Sequence, residues 1–183
     1  MEQLHKTRYI TRLVLFIAVT AVIELIGLPQ PATGPLVNFM LILTTLLLDV
    51  YGGLALGCLT PLLALLRGQL PIILAPLVPL IMTGNALYVI IFYLLCCGGR
   101  EKNLPLGWRA FGGLLLAACA KFAWFYMAIR YLLPLWLAHP LPDNILTIML
   151  GPQLLTAAIG GAAAILFYTL LWQRKIIFIG KAR

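Results

Sequence analysis

Among the polar side chains within the apolar stretches and outer loops of this sequence, seven stand out: Glu24, Asn38, Thr60, Asn85, Lys121, Arg130 and Gln153. Ionisable groups inside apolar helices are costly and face a bundle interior or a cavity. Lys121 lies near the middle of the run Trp108 to Leu133, about 18 Å of helix from the run's outer end. Arg130 follows nine residues later, and nine steps of about 100° turn it to the opposite helical face. Arg130 can snorkel to an interface, whereas Lys121 needs a partner or a cavity. Glu2, Glu101, Asp143 and Asp49 fall in loops, turns or the chain start, and Glu24 near the outer surface. The chemistry expected of Lys121 is therefore recognition. Its ammonium would pair with an anionic or carbonyl group of a small molecule, with Asn38, Asn85 and Gln153 as hydrogen-bonding neighbours. The structural alternative is a lysine bonded to helix carbonyls. For Asn38 and Asn85 the alternative is an interhelical hydrogen bond, for Thr60 a bond to its own helix backbone, and for Glu24 and Arg130 an ion pair or snorkelling.

Reactive constellations are missing. Gly52 to Gly57 has the glycine spacing of a phosphate loop, but Cys58 stands where lysine is needed. His5 and His139 sit at the chain start and in an outer loop, where they cannot hold a haem inside a bundle. There is no HExxH, no carboxylate cluster and no GxSxG elbow. Cys58, Cys96, Cys97 and Cys119 all lie in apolar runs without CxxC spacing, and read as small hydrophobes. No enzyme, cofactor or metal site is expected.

The elements that position these groups follow from composition. Of 183 residues 63% are hydrophobic and 10% charged, against about 25% charged in a soluble domain. A chain this apolar, with mean hydropathy +1.04, is a polytopic membrane protein. We expect an all-α protein, one integral-membrane domain over residues 1–183, with six spans. The first runs from Ile10 to Leu28, after a polar lead, and ends in a Pro- and Gly-rich loop through Pro35. Leu36 to Leu66 holds two short helices turning at Asp49 to Gly53. Gln69 to Pro79 includes an irregular loop dipping toward the membrane, followed by a run from Leu80 to Cys97. The polar loop Gly98 to Asn103, a fifth span from Trp108 to Leu133, the connection Pro134 to Asn144 and a last span from Ile145 to Trp172 complete the chain.

Ten of the 13 basic residues gather on one side if the N-terminus, the loop around Arg100 and the tail from Arg174 share it. By the positive-inside rule both termini are cytoplasmic. The net charge of +8 is then topological, and no basic stripe for nucleic acid is visible. Small-residue faces, Ala157-x-x-x-Gly161, Gly160-x-x-x-Ala164 and Gly53-x-x-x-Gly57, allow close helix approach, either within the bundle or against another membrane subunit.

The order LPQPATGPLVN (Leu28 to Asn38), GCLTPLLALLRGQLP (Gly57 to Pro71) and PLIMTGNALYVIIF (Pro79 to Phe92) resembles the substrate-binding S components of energy-coupling factor (ECF) transporters. Size, six spans and the lysine-bearing fifth span fit the same resemblance. It implies a subunit of a bacterial plasma membrane that captures a vitamin or related micronutrient. It also implies partners, a membrane coupling (T) subunit and two cytoplasmic ATPases, which would supply the missing phosphate loop. The loop gating the family's pocket would here be Gly27 to Pro35, with Gln30 and Thr33 as its polar side chains. The family's first helix often presents Ala-x-x-x-Ala to the coupling subunit. Here Ala18 and Ala21 are three apart, and Val22 stands where the second alanine would fall. Metal-specific members resemble one another in an N-terminal histidine that this chain lacks, and a thiamine-like cation would sit poorly beside Lys121. The competing reading is a membrane anchor or assembly subunit of a cytoplasmic complex, which leaves Lys121 unexplained.

Overall fold

The computed structural model describes residues 2–68, 70, 72–97, 106–136 and 150–174, without the side chains of Glu2, His5, Gln30 and Ile73. Among them are six α-helices and no strand. In chain order they are α1 (Glu2–Ile26), α2 (Gln30–Leu47), α3 (Val50–Leu66), α4 (Leu77–Cys96), α5 (Trp108–Met127) and α6 (Gln153–Gln173). A π-helical turn, Ala128–Leu132, and a 3-10 turn, Leu133–Leu135, prolong α5. The segments Lys6–Ile26, Leu77–Cys96, Trp108–Leu135 and Gln153–Gln173 are long and apolar enough to cross a membrane; α2 and α3 are shorter apolar helices. Leu15, Leu116, Leu155, Leu166 and Leu170 project outward, each more than half exposed, as lipid-facing side chains do. The loop Gly98 to Asn103, most of Pro134 to Asn144 and the tail beyond Arg174 lie outside the described residues.

Three expected boundaries are corrected. The polar lead before Ile10 is helical from Glu2, with Thr7 and Thr11 hydroxyls donating to the carbonyls of Gln3 and Thr7, each at 2.9 Å. The loop expected from Gly27 to Pro35 shrinks to Gly27–Pro29, because α2 starts at Gln30. Proline is tolerated in a first helical turn, where amide hydrogens have no intrahelical partner, and Pro31 occupies that place. Thr33 is then a buried helical residue donating to Leu28 O at 2.8 Å, so no flexible lid runs through it. The irregular stretch after Gln69 is likewise shorter than expected, since Pro79 is the third residue of α4.

The turn near Asp49 is present, but Gly52 and Gly53 belong to α3. Asp49 caps that helix, its carboxylate accepting from Gly52 N at 2.8 Å, and Tyr9 Oη donates to the same Oδ1 at 2.9 Å. One carboxylate thus ties α1 to the α2–α3 turn. Asp49→Ala removes the cap and the tie together. It should cost about 1–2 kcal/mol, seen as a fall of several degrees in the thermal midpoint of the detergent-solubilised protein; Tyr9→Phe should cost less.

The small-residue faces serve packing inside the bundle. A Cβ on Gly53 would strike Thr45 Oγ1 and Val89, and one on Gly161 would strike Leu114 and the Tyr88 hydroxyl. Gly160 lies against the backbone of α2 at Pro35 and Phe39. The main core joins α2, α4, α5 and α6 around Leu41, Tyr88, Phe92, Ala117 and Ile165. A second cluster of Leu77, Leu80, Phe125 and Leu133 closes the α4–α5 pair at the end where α1 finishes and α6 begins. Cys96 is buried, with Sγ 3.6 Å from Ala110 O, while Cys58 and Cys119 are exposed on the outer surface.

Candidate functional site

All six helices contribute to one cavity of about 360 Å³. It is built from the C-terminal end of α1, the N-terminal half of α2, the end of α3, the first half of α4, the second half of α5 and the start of α6. Because consecutive helices alternate in direction, this end of the bundle is opposite the first residues of α1 and the last of α6. Val37, Pro61, Ala64, Ile81 and Phe125 supply apolar wall, and polar side chains converge between them.

Lys121 is almost completely buried and lines this cavity. Its Nζ donates to Asn38 Oδ1 at 2.7 Å and lies 5.1 Å from the centroid of the Tyr88 ring. Asn38 is held by its own amide, Nδ2 donating to Gly34 O at 2.9 Å, which leaves Oδ1 turned to the lysine. Tyr88 is fixed by donating to Ala157 O at 2.7 Å. An ammonium carries three donors, so one neutral acceptor and one ring face leave part of its capacity unused. Arg130 is exposed on the outside of the bundle, as the nine-residue spacing requires.

Asn85 is placed by a proline. Pro61 has no N–H, so the Gly57 carbonyl loses its helical donor. Asn85 Nδ2 fills that role from α4 at 3.0 Å and also reaches Thr60 Oγ1 at 3.4 Å. Gly57 makes this possible, since a Cβ there would stand 3.1 Å from Asn85 Cβ. Thr60 also contacts its own helix at Gly57 O, 3.5 Å away.

Of the residues expected at a site, the fold brings Thr33, Asn38, Asn85, Lys121 and Gln153 to this cavity. Gln153 is half-buried at the first position of α6. Gln30 opens α2 but is not part of the lining, and its side chain lies outside the described residues. Ala18 and Ala21 are on α1 away from the cavity; Ala18 is exposed beside Val22 and Leu25, while Ala21 turns partly inward. Sequence reasoning underrated Glu24, which is buried and lines the cavity instead of meeting the surface. The cause is the way α1 ends. Gly27 has φ +74°, the left-handed conformation that terminates helices, and the Arg67 guanidinium packs over it. Arg67 Nη1 donates to Glu24 O at 3.0 Å, capping the helix with a cation. An arginine closing an apolar run, with a glycine after an intramembrane acid, was the available signal.

This arrangement holds a buried cation, carboxamides and an apolar wall around a space of ligand size, with no nucleophile–base pair among the described lining residues. A family model described as "ECF transporter, substrate-specific component" matches residues 8–172. The chain belongs to that family. No curated protein and no solved structure matches it. As an ECF substrate-specific component it is a multi-pass membrane protein that confers specificity on transport, and it is not an enzyme. The anchor-subunit reading gives way to this assignment.

Proposed function

We propose that the cavity captures a vitamin or related micronutrient on the outer side of a bacterial plasma membrane. The whole chain acts as one integral-membrane domain, with both termini cytoplasmic. Passage inward requires a membrane coupling subunit and two cytoplasmic ATPases. The observation that carries this reading is Lys121. A cation buried in a cavity, facing a neutral amide and a ring, is set to receive an anionic or carbonyl group of a substrate. Asn38, Asn85, Thr33 and Gln153 are the neighbours that would orient it. The volume lies within the range of roughly 300–1,000 Å³ usual for small-molecule pockets. The basic residues support the orientation, since Lys6, Arg8, Arg12 and Arg109 lie toward the end of the bundle opposite the cavity.

The experiment is reconstitution. The purified chain in liposomes should bind the compound that co-purifies with it, without concentrating that compound when ATP is supplied. Adding the coupling subunit and ATPases should start accumulation. ATP-driven accumulation by the chain alone would overturn the proposal.

A further inference from the structure

The cavity holds a second charged group that the lysine-centred reading does not use. Glu24 is 4% exposed and lines the same cavity as Lys121. Its Oε2 is fully buried and has no hydrogen-bond partner among the described residues. The other buried polar side chains of the lining are engaged: Thr33 with Leu28 O, Asn38 with Lys121 and Gly34 O, Asn85 with Gly57 O. The nearby guanidinium of Arg67 donates from Nη1 to the main-chain oxygen of Glu24, and none of its N–H groups reaches Oε2. An unpaired carboxylate withdrawn from water is strongly unfavourable. A cavity with an unsatisfied acceptor on α1 and an undersatisfied ammonium on α5 is complementary to a molecule with two unlike ends.

We propose that Glu24 forms a second recognition pole, so that the cavity takes a dipolar small molecule. An amine nitrogen faces Glu24 and donates N–H to it, and a carboxylate or carbonyl faces Lys121 and Asn38. Between them the body of the molecule lies against Val37, Ile81 and Phe125. This rests on the substrate-capture reading above and adds the chemistry of the far end.

The probe is the compound extracted with methanol from purified wild-type protein, identified by accurate mass and fragmentation. It is returned to emptied protein both untreated and after acetylation of its nitrogen. It should contain an amine as well as a carbonyl or carboxylate. Glu24→Gln should weaken its binding by about 30-fold, the worth of one charged hydrogen bond. Acetylation should weaken binding to wild type by about tenfold or more, yet change binding to Glu24→Gln by less than about threefold. A compound without an amine, or Glu24→Gln binding within about threefold of wild type, overturns the dipolar assignment while leaving capture at Lys121 intact. Should Glu24→Gln not elute as a monodisperse helical protein, acetylation decides on wild type alone, and undiminished binding refutes the proposal. A wild-type protein that yields no compound removes the capture reading, and this inference with it.

Discussion

Lys121→Met is expected to abolish substrate binding by a protein that still folds and inserts. Methionine keeps the unbranched stem and removes the ammonium, so the packing of α5 against α4 and α6 is largely retained. A hydrogen bond to a charged group contributes about 1.5–3 kcal/mol, and the variant also leaves Asn38 Oδ1 without its donor. Together these correspond to about 100-fold weaker binding or more, measured by titration calorimetry with the compound extracted from wild-type protein. Arg130→Met should change affinity by less than about twofold, because Arg130 is exposed outside the bundle. The contrast between two basic residues on one helix separates a site effect from a general loss of positive charge. A well-folded Lys121→Met protein with wild-type affinity would make the lysine structural and remove the basis of the proposed site.

What was legible in the sequence depended on whether a residue's position had one physical solution. A lysine at mid-depth has very few, so its burial against a cavity followed from spacing alone. Lys121 also needed an acceptor, and Asn38 was among the few intramembrane residues able to provide one. The exposed position of Arg130 followed from the same helical arithmetic. Prolines were read less well because their number was weighed above their position. Pro31 and Pro79 stand in the first turns of α2 and α4, where a missing N–H costs nothing. Pro61 sits mid-helix, and its effect appears 28 residues away, in the side chain of Asn85 that takes up the freed carbonyl. No local pattern carries that pairing, since it exists only once α3 and α4 are packed. Glu24 was missed for a similar reason. Counting residues along α1 places it near the surface, but Arg67 packs over the helix end and the Glu24 side chain lines the cavity instead.

The small-residue seam between α2 and α6 should prove the least forgiving part of the fold. In lipid, helix association depends on close packing, because the acyl chains compete equally for apolar side chains. At Gly160 α6 lies directly against the backbone of α2. A Cβ there would collide with the carbonyl oxygen of Pro35 and stand 2.9 Å from Phe39 N and 3.0 Å from Asn38 Cβ. Two of these atoms belong to the backbone of a helix and cannot rotate away, so relief requires the helices to separate. Overpacking commonly costs about 1–3 kcal/mol, and Gly160→Ala should fall at the upper end. In a chain of this length that is a drop of roughly 6–12 °C in thermal midpoint. Ligand affinity should fall with it, since the displaced segment carries Asn38, the partner of Lys121. Gly112 provides the control. Nothing lies within 4 Å of a Cβ at Gly112, on the outer face of α5. Gly112→Ala gains helix propensity of up to about 1 kcal/mol and should leave the midpoint unchanged or slightly raised, with affinity intact. Thermal scans of both variants in the same detergent make the comparison. If Gly160→Ala melted with Gly112→Ala and bound as tightly, the close approach of α6 to α2 would not be what positions the site.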